Sequence, residues 1–161
     1  MKKISYAVGD GALVFAVTLV AFTIAAALWG WGYPSTEITI TASLGADPTP
    51  GTEDAGFRAF AIFAAYSTGL GALLALWAYH TRIRSLSMLL WVTLCAAIGA
   101  VWSLIFGSIV VEHLHSFDAT MIQPGQVAYV AQTVPFSVVL VCAPAAAAVV
   151  YWGQACWTQR F

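Results

Sequence analysis

Four long apolar stretches alternate with short polar ones along the chain. Each apolar stretch is at least as long as the roughly 20 residues that an α-helix needs to cross about 30 Å of hydrocarbon. The predicted spans are residues 11–33, 55–80, 86–111 and 135–157. Because the remaining residues are too few for a second compact unit, the pattern predicts a single all-α membrane domain over residues 1–161, folded as a four-transmembrane-helix bundle.

Composition agrees with this class. Of the 161 residues, 61% are hydrophobic and only 8% are charged, whereas about a quarter of the residues in a soluble domain are charged. The formal net charge is −1 and the chain has only six lysines and arginines, which is too few for a nucleic-acid-binding surface. We therefore expect lipids and other integral membrane subunits as partners, and no nucleic acid.

The few basic residues predict the orientation of the bundle. Five of the six precede the first span, lie between the second and third, or follow the fourth: Lys2, Lys3, Arg82, Arg84 and Arg160. By the positive-inside rule, these segments face the cytoplasm. The sixth, Arg58, is the lone basic residue on the outer side. The prediction is a multi-pass plasma-membrane protein with both termini inside and two outer loops, residues 34–54 and 112–134.

Each outer loop contains a segment with the character of a β-strand. Residues 36–41 alternate polar and apolar side chains with a period of two, and residues 127–130 form a short apolar run after a Pro-Gly turn. We expect these two segments to pair as a small β-ribbon cap outside the bilayer.

Small residues recur at every fourth position of the second and third spans. They are Ser67, Gly71 and Ala75 in one span, and Cys95, Gly99, Ser103 and Gly107 in the other. Residues four apart lie on one face of a helix, and small side chains allow another backbone to approach closely. Both stripes are predicted to be helix-packing surfaces, and since there are two, we expect one of them to remain available for a partner.

Asp10 lies between two glycines at the predicted start of the first span. We interpret it as a helix N-cap, whose carboxylate accepts a backbone N–H. A proton-accepting role in a small transporter would need a carboxylate deeper in the bilayer.

The strongest candidate for ligand chemistry is the Glu-His-Leu-His sequence that ends the third span. In a helix, His113 and His115 point about 200° apart, so that only Glu112 and His115 share a face. In an extended chain the two histidines share a face, and Asp118 can join them. Neither geometry gathers a full ligand set, so we predict no metal site and no catalytic residue, and an outward-facing metal- or ligand-binding protein remains an alternative.

Cofactor and enzyme chemistry lack other support in the sequence. The three histidines lie at the predicted ends of spans, where they cannot act as axial ligands of a haem held between facing helices. The three cysteines do not form a Cys-x-x-Cys pair. We therefore predict neither a cofactor nor an enzymatic activity.

Three short motifs resemble an actinobacterial family of small four-span membrane proteins of unknown function. They are Ala-Leu-Trp-x-Trp-x-x-Pro at residues 27–34, Trp-x-x-His at residues 77–80, and Ala-Tyr-Val at residues 128–130 before an alanine-rich fourth span. The resemblance implies an actinobacterial plasma-membrane protein and transfers no catalytic residue.

The function expected from these features is that of a non-catalytic accessory subunit of a larger plasma-membrane assembly. Among actinobacterial assemblies, the respiratory cytochrome bc-aa3 supercomplex is the first candidate, and the machinery that exports cell-envelope lipids is the alternative. A small transporter is a third interpretation, and it requires a water-lined polar path between the helices.

Elemental analysis of the purified protein tests the metal alternative. We expect no stoichiometric metal, because no single conformation of the Glu112 to Asp118 segment supplies enough ligands. Stoichiometric metal that is lost in both His113→Ala and His115→Ala would contradict this expectation and establish a metal-binding loop.

Overall fold

The computed structural model describes residues 2–34, 36–40, 46–48, 54–114, 127–130 and 136–158. Most of these residues lie in four α-helices: α1 (Lys2–Trp31), α2 (Ala55–Thr81), α3 (Leu86–Leu114) and α4 (Phe136–Thr158). Each helix contains an apolar stretch of 19 to 29 residues, which is long enough to cross a membrane. The prediction of four long apolar helices is therefore confirmed.

The helices extend beyond some of their predicted limits. The first helix begins at Lys2, well before residue 11, so Gly9 and Gly11 lie inside it. A helical glycine costs only about 1 kcal/mol relative to alanine, and the apolar residues on either side continue the helix. At the other end of the chain, α4 continues through Pro144, which membrane helices tolerate where neighbouring groups satisfy the freed carbonyl.

The closest helix pairs are not consecutive in sequence. The first helix packs mainly on α3, the second packs mainly on α4, and α3 also contacts α4. Gly11 faces Trp91 near the starts of α1 and α3, and Gly30 faces Val110 near their ends, so these two helices run in the same direction. The helices α2 and α4 are also parallel, because Tyr79 contacts Tyr151 near the end of each.

Glycines set the distance between α1 and α3. A Cβ atom on Gly99 would come within 2.7 Å of Phe22 Cδ2 and 2.8 Å of Thr18 Cγ2. A Cβ atom on Gly107 would come within 2.8 Å of Trp29 Cε3. Neither position has room for a methyl group, so α3 presents its small residues to bulky side chains of α1.

The other small-residue stripe is also used inside the chain. A Cβ atom on Gly71 would collide with the backbone carbonyl of Ala143 in α4, and Ser67 and Ala75 are fully buried. In the third helix Cys95 and Ser103 are fully buried as well. The expectation that one stripe remains available for a partner is therefore wrong, because each of the two close helix pairs needs a stripe of its own.

An aromatic cluster lies near the end of α1. Trp29 packs edge-on against Tyr33 and Phe63, with ring centroids 5.0 and 5.3 Å apart. Its indole N–H donates to the carbonyl of Ala59, at an N···O distance of 3.2 Å. This hydrogen bond joins α1 to α2 and leaves the indole nitrogen satisfied although it is buried.

Three short strands accompany the helices: β1 (Thr36–Ile40), β2 (Ala46–Pro48) and β3 (Val127–Val130). They form one antiparallel sheet in the order β2-β1-β3. The pairing of β1 with β3 places Thr36 opposite Val130, and it joins the two segments expected to form a ribbon. The sequence does not predict the strand β2, because it ends in Asp47 and Pro48. Proline in a sheet is confined to positions such as an edge strand, and β2 is at the edge of this sheet.

Alanine substitutions at two glycines of α2 test the close approach of α2 to α4. We expect Gly71→Ala to lower the free energy of unfolding by about 1–3 kcal/mol, because its methyl group displaces the Ala143 backbone. Gly69→Ala is the matched control, because nothing lies within 4 Å of its Cβ position and alanine favours the helix by about 0.5–1 kcal/mol. Unfolding in detergent measures the stability of the two variants. Equal stabilities would contradict the close approach of α2 to α4.

Candidate functional site

Polar side chains gather at the end of the bundle where α1 and α3 begin and α2 and α4 end. We call this the basic end, and we define it by Asp10, Tyr79, Arg82, Arg84 and Tyr151. The two arginines lie in the short link between α2 and α3. Because that link is short, both guanidinium groups stay close to the helix ends.

The first contact at the basic end is an ion pair. Arg82 Nη1 donates to Asp10 Oδ1 at 2.8 Å, and both side chains are mostly buried. The guanidinium also lies 5.1 Å from the centre of the Trp77 ring, close enough for a cation–π interaction. This pair ties α1 to the link between α2 and α3.

The ion pair corrects the interpretation of Asp10. Because α1 begins at Lys2, Asp10 lies about two turns inside the helix, and it is not the N-cap. In a helix interior the backbone N–H groups already donate to carbonyls of the same helix. A carboxylate there therefore finds its hydrogen-bond donor on a neighbouring element. Here that donor is the arginine at the end of α2.

The second contact holds Arg84 against α2. Arg84 Nε donates to the carbonyl of Tyr79 at 3.2 Å, and the guanidinium lies 4.7 Å from the centre of that tyrosine's ring. The Tyr79 ring packs edge-on against Tyr151 at 5.2 Å, and its hydroxyl is hydrogen-bonded to Thr158. Both tyrosines are fully buried, so α2 and α4 together fix the position of the arginine.

The start of α3 adds a third positive element. Ser85 caps this helix, since its Oγ accepts the N–H of Met88 at 3.2 Å and its carbonyl accepts the N–H of Leu89. The amino end of a helix carries a partial positive charge. Together with Arg84, it makes this side of the basic end suited to an anion.

Further hydrogen bonds between the helices involve uncharged groups. Tyr66 and Ser103 share a hydrogen bond of 2.8 Å that joins α2 to α3. Trp91 Nε1 donates to the carbonyl of Gly11 at 3.0 Å, and Trp102 Nε1 donates to Thr23 Oγ1 at 2.9 Å. These bonds join neighbouring helices, so Ser103 adds a polar contact to its role in packing.

The candidate metal ligands are only partly covered by the structure. Glu112 and His113 are exposed in the last turn of α3, and His115 and Asp118 lie outside the described residues. Within the described ranges, no group of three or more His, Cys, Asp or Glu side chains is close enough to hold a metal ion.

Sequence reasoning did not find the contacts of the basic end. One signal was available: Asp10 and Arg82 carry opposite charges and were both predicted at the same face of the membrane. No comparable signal marks Tyr151, which is one aromatic residue in an apolar stretch.

No protein-family model, curated protein or solved structure matches the chain. Its class rests on the fold: four helices long and apolar enough to cross a membrane, which is the architecture of a multi-pass membrane protein. Membership of the actinobacterial four-span family stays a prediction.

A double-mutant cycle tests the Asp10–Arg82 ion pair. Asp10→Asn removes the negative charge with almost no change in size, and Arg82→Gln removes the positive charge but keeps a polar side chain. We expect a coupling energy of about 0.5–1 kcal/mol, since the pair is mostly buried but reaches the interface. Free energies of unfolding in detergent for the four proteins measure this coupling, and strictly additive effects would show that the pair does not stabilise the fold.

Proposed function

We propose that this protein is a non-catalytic accessory subunit of a larger plasma-membrane assembly, with both termini in the cytoplasm. The proposed orientation is supported by the positive charge at one end of the bundle. Arg82 and Arg84 lie at this basic end, and α1 begins there with Lys2 and Lys3. The observation that carries the proposed function is an exposed tryptophan near the middle of α3.

Trp102 lies about halfway along α3 and is 41% exposed. Tryptophan normally lies at membrane interfaces, where its N–H meets water. Here the N–H is already donated to Thr23, so the ring needs no water. The ring also stacks on Phe106, with centroids 6.0 Å apart and planes 15° apart. The result is a rigid aromatic surface at mid-membrane depth.

This aromatic surface continues along one side of α3. Residues three or four apart share a helix face, and Ile98 and Ile105, which are 39% and 45% exposed, extend the face of Trp102. We call Ile98, Trp102, Ile105 and Phe106 the Trp102 face. Rigid aromatic anchors surrounded by aliphatic side chains are typical of the centres of protein interfaces, so this face is suited to a partner's transmembrane helix.

The packing of the bundle determines how such a partner can bind. Because both small-residue stripes are covered within the chain, the partner cannot use them for a close backbone contact. It must pack against large side chains, such as those of the Trp102 face. The resemblance to actinobacterial proteins leads us to propose the respiratory cytochrome bc-aa3 supercomplex as the first candidate assembly, and the cell-envelope lipid export machinery as the second.

Affinity purification of the tagged full-length chain in a mild detergent tests this function. We expect other integral membrane subunits to co-purify, and mass spectrometry identifies them. Trp102→Leu should reduce the recovered partner about tenfold or more, because a central aromatic anchor contributes at least about 2 kcal/mol to binding.

Trp152→Leu is the matched control, because it replaces another exposed tryptophan, 59% exposed, on α4. We expect it to retain the partner. A protein that migrates alone at every step would contradict the accessory role, whereas equal retention in the two variants would contradict only the assignment to the Trp102 face.

A further inference from the structure

A continuous ridge of large apolar side chains runs along the exposed side of α3. Its members are three or four residues apart, so they share one face of the helix, and each is between 37% and 56% exposed. We call them the α3 ridge: Trp91, Leu94, Ile98, Trp102, Ile105 and Ile109. The ridge is about 27 Å long, nearly the thickness of the hydrocarbon core. The Trp102 face therefore lies in the middle of a surface that extends across the membrane.

Both tryptophans of the ridge are held by hydrogen bonds to α1. The Trp91 indole donates to the carbonyl of Gly11 at 3.0 Å, and the Trp102 indole donates to Thr23 Oγ1 at 2.9 Å. Because these N–H groups are satisfied within the chain, neither ring needs water or a lipid headgroup as a partner. Side chains that are already fixed lose little conformational freedom when a partner binds. The ridge therefore has two preorganised anchors, one near its end and one at its middle.

A carboxylate continues the ridge at the end of the bundle opposite the basic end. Glu112 follows Ile105 by seven residues, which is about two helical turns, so the two lie on the same face of α3. Glu112 is exposed. No ion pair joins it to Arg58 or to any other base in the part of the chain that the structure describes. A partner that covers the ridge therefore meets a negative charge at this end.

The same features make the ridge unsuited to a second copy of this chain. Two copies in one membrane have the same orientation, so a two-fold contact through the ridge would place α3 parallel to its own copy. Trp102 would then meet Trp102, and two bulky rings would keep the backbones apart. Glu112 would meet Glu112, and like charges brought together across an interface repel. The arrangement therefore favours a partner of different sequence and opposite charge.

We propose that the α3 ridge binds one transmembrane helix of a different subunit, which has lysine or arginine beside Glu112 and small residues opposite Trp91 and Trp102. Small residues allow that helix to approach a ridge of large side chains closely. Its basic residue pairs with the carboxylate and fixes the position of the helix along α3. The proposal names the kind of partner for the accessory role, and it rests on that role.

Photo-crosslinking in the native membrane tests what occupies the ridge. We expect p-benzoylphenylalanine in place of Ile98 or, separately, Ile109 to form an adduct with the same integral membrane subunit. The peptide attached at Ile109 should contain lysine or arginine within about two helical turns of the attachment point. The same replacement at Val149, 69% exposed on α4, is the matched control and should not form this adduct. Adducts with lipid alone, with a second copy, or with a peptide that lacks a base overturn the proposal.

Recovery of that subunit with the tagged full-length chain tests the charge. Glu112→Gln should reduce the recovery about threefold at low ionic strength, because an exposed ion pair contributes modestly to binding. In about 1 M salt the native sequence and Glu112→Gln should recover equal amounts, since salt screens exposed charges. Asp54→Asn, which removes an exposed carboxylate just before α2, is the matched control and should recover as much as the native sequence at both salt concentrations.

The two proposals fail in different ways. If no subunit co-purifies with the native sequence, the accessory role is wrong and the proposed partner helix is wrong with it. If a subunit co-purifies but Glu112→Gln recovers as much of it as Asp54→Asn at low ionic strength, the accessory role stands and the partner helix proposed here is overturned.

Discussion

Close contact between the backbones of parallel helices is the constraint on which the rest of this bundle depends. Lipid chains are as apolar as leucine, so helices in a membrane associate through tight packing more than through the hydrophobic effect. Gly71 provides such packing by meeting the Ala143 backbone directly, and Gly99 and Gly107 admit the side chains of α1. Because both interfaces need small residues in register, the two stripes decide which helices become neighbours.

The basic end follows from this arrangement. The close approach of α2 and α4 brings the Tyr79 and Tyr151 rings edge to edge, and the Tyr79 ring then supports Arg84. On the other side of the link, the parallel packing of α1 beside α3 brings Asp10 within reach of Arg82. The two arginines are two residues apart, yet they have different roles, since one is neutralised by a carboxylate and the other packs on the Tyr79 ring.

The sequence predicts where the helices lie much better than it predicts which helices pack against each other. Apolar length identifies the four spans, and every small residue that the four-residue period singles out proves to be buried between helices. A stripe of small residues does not specify which helix covers it, however, because any backbone can approach glycine. The Gly-Asp-Gly sequence around Asp10 looks like a helix start, but the helix continues through it, since the ion pair with Arg82 gives the carboxylate a partner that no local pattern reveals.

Two buried hydroxyl groups without a partner, those of Ser67 and Tyr151, have different consequences. A serine hydroxyl in a helix can rotate to the carbonyl four residues earlier, as the threonines Thr18, Thr23 and Thr93 do here. A single side-chain rotation is therefore enough to give Ser67 an acceptor on its own helix. The Tyr151 hydroxyl lies at the far end of a rigid ring and cannot reach its own backbone, so only a neighbouring element can supply a partner. That difference in reach means that the surroundings of the tyrosine depend on how α4 packs against its neighbours, whereas those of the serine depend on its own helix.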